Sequence, residues 1–562
     1  MSSDTRVLGI EGTAWAASAA VSDAESDDVF IESDAYQPES GGIHPREAAE
    51  HMHEAIPQVV ESALEHARDT TNRPADESPV DCVAFSRGPG LGPCLRIVGT
   101  AARALSQALE VPLVGVNHMV AHLEIGRHTS GFDSPVCLNA SGANAHLLAY
   151  RNGRYQVLGE TMDTGVGNSI DKFTRHVGWS HPGGPKVEAA AKDGEYVDLP
   201  YVVKGMDFSF SGIMSAAKQQ YDDGTAVEDI CYSLQETIFS MLTEVSERAL
   251  SLTGSDELVL GGGVGQNGRL REMLEEMCDQ RGADFHAPEP RFLRDNAGMI
   301  AVLGAKMYDA GDTLALEDSR VDPNFRPDQV PVTWRDDESG VTLGRSASDG
   351  DQQVRGAEAL VALEPDTGRV TKRRRAKTYR HPQLDERLRT ERTRLEARLT
   401  SLARREGVPT PVLSDVDATD ARLELEYVGE CDLREQLTPA TVRDVGRHLA
   451  RLHTAGFVHG DPTTRNVRVG RRVAPPNERT DDVREHNGER TYLIDFGLGY
   501  HTDHVEDYAM DLHVFDQSLV GTAADPDPLR EAVREGYLEV GEERVLERLT
   551  DVEGRGRYVA EP

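Results

Sequence analysis

The chain has 562 residues, of which 96 are acidic and 60 basic, leaving a formal charge of −36. That length exceeds one core at roughly 100–200 residues per domain, and 38% apolar with 28% charged residues excludes wholesale disorder. No run of 18 apolar residues occurs, which excludes a membrane-spanning helix, and no basic, cleavable segment precedes the first apolar strand, so a cytoplasmic protein is expected.

Val7-Leu8-Gly9-Ile10-Glu11-Gly12-Thr13 reads as a strand entering a glycine turn, and Ala16 to Val21 as a second strand. Val80 to Ser86 is a further strand; it ends in R-G-P-G-L-G-P and opens a helix from about Leu95 to Leu109. Val111 to Val116 returns as a strand. Ala145 to Arg151 and Tyr155 to Glu160 flank Asn152-Gly153, a hairpin signal because both turn residues tolerate positive φ. Leu258 to Leu260 runs into G-G-G-V-G-Q-N at 261–267 and then a helix. The pattern is α/β with mixed sheets. The polar, aperiodic run from Asp328 to Asp351 reads as a linker, and Pro475 to Glu489 as an exposed loop within a second unit of different texture.

Only 8 of the 60 basic residues are lysine, and a strongly acidic, lysine-poor surface resembles that of proteins from salt-loving cells. Near 1 M salt the Debye length is about 3 Å, so the net charge says little about partners. Arg369 to Arg405 inverts the trend, with 14 Lys and Arg against 4 Asp and Glu. Either a solvated helical face or a contact surface for an acidic partner explains it. As a contact surface it offers Arg373, Arg374 and Arg375 to a phosphate backbone, the alternative partner being the acidic first half of the chain. Six cysteines lie scattered without a C-x-x-C pair, neither a disulfide framework nor a zinc ribbon.

A glycine turn after a strand exposes backbone N–H groups, and two such turns, at 9–13 and 261–267, are placed as in actin-like folds that clasp a nucleotide between lobes. His118 and His122 are spaced i, i+4, which sets both imidazoles on one helix face, as a metal site needs. Met119 stands where a zinc protease carries its general-base glutamate, which argues against an endopeptidase.

Six segments occur in order: G-I-E-G-T-A, R-G-P-G-L-G-P, N-H-M-V-A-H-L-E, H-P-G-G-P-K-V-E, G-G-G-V-G-Q-N-G-R-L and R-D-N-A-G-M-I-A. Together they resemble the universal tRNA threonylcarbamoyladenosine transferase family in its archaeal and eukaryotic form, over residues 5–325. The resemblance implies an actin-like (ASKHA) two-lobed α/β domain over residues 1–327. Its reaction would pass a threonylcarbamoyl group from threonylcarbamoyl-adenylate to the exocyclic amine of the adenosine 3′ of the anticodon, in tRNAs reading A-starting codons. It also implies His118, His122 and Asp295 as ligands of a metal, Fe(2+) with Zn(2+) as the alternative. Asn139, Ala140, Ser141, Gly142, Ala143, Asp171, Gly184, Glu188 and Asn267 would surround the adenylate donor. The family's L-Y-V-S-G-G-N-T-Q strand, whose tyrosine reaches the metal, is replaced by Leu138-Asn139-Ala140-Ser141-Gly142-Ala143-Asn144-Ala145-His146. Asn139 supplies no phenolate.

In the second half, His459-Gly460-Asp461 precedes Asn466, and Ile494-Asp495-Phe496-Gly497 follows. That is the spacing of kinase catalysis: Asp461 for the acceptor hydroxyl, Asn466 and Asp495 for Mg(2+). Lys372 can reach ATP phosphates with Glu396 as its helix partner, and Gly356, Ala357, Glu358 and Ala359 form a reduced phosphate-covering loop. These residues resemble the small atypical serine/threonine kinase of the same assembly, over residues 353–562 and including the ending Arg555-Gly556-Arg557-Tyr558. The resemblance implies an α+β protein-kinase-like two-lobed domain joined through a linker at 328–352. No A-P-E element follows, and Asp511-Leu512-His513 arrives almost at once, so ATP hydrolysis or autophosphorylation fits better than general protein phosphorylation. The alternatives are an actin-like small-molecule, sugar-type kinase with a regulatory kinase domain, and a pseudo-kinase scaffold. The paired histidines with Asp295 disfavour the former, and intact Lys372, Asp461, Asn466 and Asp495 the latter. Expected partners are tRNA, threonylcarbamoyl-adenylate and the small accessory subunits of a KEOPS-type complex, with no membrane.

Overall fold

The computed structural model describes residues 5–36, 43–151, 153–335, 353–364, 367–470 and 490–553. Strands of small and β-branched residues suit a sheet covered on both faces. β1 (Arg6–Glu11) is buried along its whole length. With β2 (Ala16–Asp23), β3 (Asp28–Ala35), β4 (Cys82–Gly88) and β5 (Leu113–Asn117) it forms a sheet ordered β3-β2-β1-β4-β5. β1 runs antiparallel to β2 and parallel to β4. The chain continues through β6 (Val136–Ala140), β7 (Ala145–Arg151), β8 (Arg154–Glu160), a short hairpin β9 (Val203–Lys204) and β10 (Asp207–Phe208), then β11 (Glu257–Gly261) and β12 (Asp284–His286). The second sheet is ordered β12-β11-β6-β7-β8, with β6 antiparallel to β7 and parallel to β11. Order and sense repeat those of the first sheet, which is the actin-like duplication. Both glycine-rich turns leave the C-terminal ends of interior strands, β1 and β11.

The chain divides into two units, one gathering residues 5–201 and 209–335, the other 202–208 and 353–553. Two differences from the expected boundaries follow. The β9–β10 hairpin groups with the second unit, where Lys204 Nζ meets Asp507 Oδ1 at 2.7 Å and lies over the Tyr500 ring. Residues 328–335, placed in the linker by the sequence pattern, pack on the first unit: Val330 and Arg335 are buried and Trp334 stacks near Tyr155. These apolar and cationic side chains are too sparse to show periodicity, which is why the segment reads as linker. The rest of the linker, Asn152, the loop Pro475 to Glu489 and the ending Arg555 to Tyr558 lie outside the described residues.

In the first unit the helix Ala297–Asp309 packs directly on β1. A Cβ at Gly9 would lie 2.5 Å from the Ala297 carbonyl oxygen and 2.7 Å from the Ala301 nitrogen, so only glycine admits this approach. The consequence is functional, because the turn before that helix carries Asp295 and β1 ends in Glu11.

The second unit begins with an antiparallel sheet of β13 (Gln353–Arg355), β14 (Ala359–Glu364), β15 (Arg369–Arg374), β16 (Leu413–Asp417) and β17 (Arg422–Glu426), ordered β13-β14-β15-β17-β16. Helix Pro382–Arg405 accompanies it. The remainder is mainly helical and closes around Leu449, Phe457, Phe496, Phe515 and Tyr537.

Candidate metal centre and nucleotide sites

Asn117 ends β5 and caps the next helix, its Oδ1 accepting from Met119 N at 3.0 Å and Val120 N at 3.1 Å. The cap starts the helix on His118 itself, so His118 and His122 stack one turn apart on one face. Their ring centroids are 4.9 Å apart and nearly perpendicular. Asp295 Oδ1 stands 3.5 Å from His118 Nε2 and 3.4 Å from His122 Nε2. Two ligands each about 2.1 Å from a tetrahedral ion are roughly 3.4 Å apart, so the triad has the dimensions of a metal site.

Glu11 is the residue that sequence reasoning missed here. It is fully buried, and its Oε2 lies 3.1 Å from His118 Nδ1 while also accepting from the Ser86 hydroxyl. Its Oε1 accepts from Thr13 N at 2.8 Å. A carboxylate on one imidazole nitrogen aims the other at the site, as partners of metal-bound histidines do. The signal was a charged residue closing an otherwise apolar strand. Burial works against the charge on His118, but Glu11 and Asp295 outweigh it and raise its pKa to about 10. Burial also opposes the charge on Asp295, and the two imidazoles hold its carboxyl far below the usual range. His122 is pushed down, chiefly by burial. Both its ring nitrogens are buried without a hydrogen-bond partner among the described residues. A buried orphan imidazole facing a carboxylate is what a cation would satisfy. The donor set therefore fits a divalent metal.

Asn139 Oδ1 is likewise buried, with no hydrogen-bond partner among the described residues. A Cβ at Gly262 (φ 83°) would fall 2.5 Å from it and 2.3 Å from the Ala140 carbonyl oxygen. That glycine lets the second turn close over β6.

The expected adenylate residues fall into linked groups. Asp171 Oδ1 accepts from Gly183 N at 2.7 Å, beside Gly184, and its Oδ2 is 3.1 Å from His181 Nδ1. Glu188 Oε1 accepts from Gly268 N at 3.0 Å, which brings it next to Asn267. Asn267 caps helix Gly268–Arg281 and donates to Gln235 Oε1 at 2.9 Å. Ser141 closes a turn on Asn144, and the Gly142 carbonyl accepts from Asn168 N at 2.9 Å. Ala140 is buried and Ala143 half-buried in the same turn. Trp15, from the first glycine turn, stacks on His181 at 5.8 Å and lies close to Gly142, so that turn and the β6–β7 turn meet in one region.

In the second unit Lys372 Nζ reaches Glu396 at 2.8 and 3.0 Å and Asp495 Oδ1 at 2.7 Å. Burial disfavours the ammonium, but Asp495 and Glu396 hold its pKa above the ordinary lysine value. Asn466 Nδ2 donates to the Asp461 carbonyl at 2.8 Å and to its Oδ2 at 2.9 Å. Asp511 anchors this loop, accepting from His459 N and Gly460 N at 2.8 Å each and meeting His453 Nε2 at 3.1 Å. Gly356 N bonds the Ala359 carbonyl at 2.9 Å in the β13–β14 turn. Glu358 pairs with Arg392 at 2.6 Å, and the Ala357 carbonyl accepts from Lys377 Nζ.

One expectation is corrected. Arg374 is only 3% exposed and pairs with Glu396 at 2.6 Å, so it is no part of a tRNA-facing surface. Arg380 and Arg392 are buried too, and Arg389 pairs with Asp385 at 2.7 Å. Much of the basic excess is internal pairing. Arg369, Arg373, Arg375, Arg394, Arg398, Arg404 and Arg405 remain exposed.

The model of the family described as tRNA N6-adenosine threonylcarbamoyltransferase matches residues 27–302. A protein of Haloarcula marismortui, titled "Probable bifunctional tRNA threonylcarbamoyladenosine biosynthesis protein", is 67% identical over 98% of this chain and 100% of its own length. Proteins with the same title from Natronomonas pharaonis and Methanosarcina barkeri are 68% and 46% identical, each over 99% of this chain and 100% and 99% of their own lengths.

Proposed function

The chain belongs to the family of bifunctional tRNA threonylcarbamoyladenosine biosynthesis proteins, and on that premise we propose that its two units carry two separate chemistries. The first unit transfers the threonylcarbamoyl group from threonylcarbamoyl-adenylate to the exocyclic amine of the adenosine 3′ of the anticodon in tRNAs reading A-starting codons. The observation that carries this reading is the convergence of His118, His122 and Asp295 beside the two glycine turns. His118, His122 and Asp295 would hold Fe(2+), which their mixed N and O donors suit as well as Zn(2+). When bound, the metal supplies a Lewis acid for the donor's carbonyl and phosphate. Glu11 keeps Nε2 of His118 directed at the site. Glu188, Asp171 and Asn267 offer acceptors for ribose hydroxyls and the adenine edge, and the backbone of Asn139 to Ala143 faces the phosphate.

Mass spectrometry of nucleosides from tRNA incubated with the protein and its donor tests this reading. His118→Ala and Asp295→Ala are each expected to lose bound metal and product together while keeping the native circular dichroism spectrum. Full transfer by a metal-free variant would remove the metal assignment.

For the second unit we infer a small Ser/Thr-type kinase or ATPase that supports or regulates the assembly with its accessory subunits. Support comes from buried Lys372 and Glu396 joined in one ion network with the partly exposed Asp495, and from Asn466 bound to Asp461. Lys372 would bind ATP phosphates, Asn466 and Asp495 would hold Mg(2+), and Asp461 would accept the proton of the attacking hydroxyl or water. Asp461→Ala and Asp495→Ala are expected to abolish ATP turnover in the full chain and to leave donor-driven threonylcarbamoyl transfer intact. Loss of both activities together would show one coupled reaction instead.

A further inference from the structure

His146 lies on β7, directly opposite Asn139 on β6 in the antiparallel register. Opposed residues of such a pair project to the same sheet face, with Cβ atoms roughly 4.5–5.5 Å apart. His146 is 2% exposed, and neither ring nitrogen has a hydrogen-bond partner among the described residues. An interior imidazole with both polar atoms unmet carries a desolvation cost that no neighbour among the described residues offsets, so the position needs an explanation. Its surroundings supply one. The Asn139 side chain opposite also has an unmet oxygen, and a Cβ on Gly261 would meet both that oxygen (3.5 Å) and His122 Cβ (3.7 Å). β6, β7 and the histidine helix thus bring onto neighbouring positions three side chains whose buried polar atoms are unmet among the described residues.

Two substitutions relative to the L-Y-V-S-G-G-N-T-Q strand fall on this one register pair. Tyrosine becomes Asn139, shortening the reach from β6 and removing the phenolate. Glutamine becomes His146, adding a nitrogen donor from β7 on the same face. We propose that His146 is the fourth protein ligand of the metal centre, replacing the phenolate that Asn139 does not provide. The inference rests on the metal reading of His118, His122 and Asp295. His146 stands outside the tight triad, whose donor atoms lie within 4.8 Å of one another. Because its ring holds no hydrogen bond among the described residues, it turns about two side-chain torsions without breaking one. The resulting set is three neutral imidazoles and one carboxylate, a net charge of −1. Asp295 with a phenolate and two imidazoles would carry −2, so this chain's site is softer and stabilises Fe(3+) less.

The experiment uses apo full-length protein titrated with Co(2+), whose visible ligand-field bands report coordination number, against a competing chelator. Wild type is expected to bind one Co(2+), and His118→Ala to lose it. His146→Gln should weaken binding at least about ten-fold and change the band intensities, while circular dichroism and tryptophan emission stay native. Asn139→Tyr/His146→Gln should recover retention, and its ferric form should gain a phenolate-to-iron charge-transfer band absent from wild type. His146→Gln with wild-type affinity and bands overturns the proposal but leaves the triad standing. Equal Co(2+) binding by wild type and His118→Ala, or none by wild type, overturns the triad and the proposal with it.

Discussion

Glu124, two residues beyond His122, offers a demanding test of how the metal-bearing helix is held. Its side chain is fully buried and accepts from the Tyr155 hydroxyl at 2.7 Å and from Lys306 Nζ at 2.9 Å, with Arg335 Nη1 at 3.4 Å. Burial alone would raise its pKa, but Lys306, Arg127 and Arg335 outweigh that and hold it below the ordinary value of 4.5. Glu124→Gln keeps the volume and removes the charge, leaving the fully buried Arg335 guanidinium and the mostly buried Lys306 without their anion. Breaking a buried pair from one side costs roughly 3–5 kcal/mol. For a unit of roughly 320 residues at about 2.1 cal/mol/K per residue, that lowers Tm by about 4–7 °C. All three tryptophans, Trp15, Trp179 and Trp334, lie in this unit, so tryptophan emission during thermal or urea unfolding reports it alone. The carboxyl's folded pKa is depressed, so its contribution is complete above pH 4.5 and lost as pH falls through the folded value. The gap between wild type and variant should therefore stay constant from about pH 8 to pH 4.5 and shrink only below that. Arg335→Met should return part of the loss in the double variant. A Tm change under about 1 °C at pH 7, or a gap that widens on acidification, would refute the reasoning.

Arg373→Ala/Arg375→Ala should leave unfolding unchanged and weaken tRNA binding about equally for all tRNAs, with the salt slope reduced by roughly one per lost phosphate contact; Arg374→Ala should instead destabilise the second unit, and unchanged stability there would contradict its buried pairing. Asp511→Ala strands two loop N–H groups at about 1–3 kcal/mol each, so ATP turnover should fall by about ten- to a hundred-fold with transfer unaffected; turnover within about two-fold of wild type would show that the loop holds without its anchor. The cysteines are free among the described residues, five of them buried with burial raising their thiol pKa values, and Cys431 alone is half-buried. Alkylation at pH 8 followed by peptide mass mapping should label Cys431 first and the others only on unfolding, and early labelling of Cys137 or Cys278 would contradict the packing.

Local chemistry was legible wherever a few consecutive residues sufficed. Asn117 before two histidines one turn apart determines a capped helix with both rings on one face, since a cap and a 3.6-residue period need no distant partner. The glycines at 9–12 and 261–265 determine turns that side chains would block, and the spacing of Asp461, Asn466 and Asp495 determines a loop and a strand end with acidic tips. Tertiary structure decided what depended on contacts between distant strands and helices. Asp295 meets the histidines only because Gly9 lets helix Ala297–Asp309 sit on β1, and sheet pairing alone brings Glu11 to the histidine side and sets His146 opposite Asn139. The basic stretch shows the same division: composition determined its charge, yet arginines occur on both faces of helix Pro382–Arg405, so period alone could not say which turn inward. Burial beside Glu358, Asp385 and Glu396 settled that, because an interior cation persists only where an anion is placed to meet it.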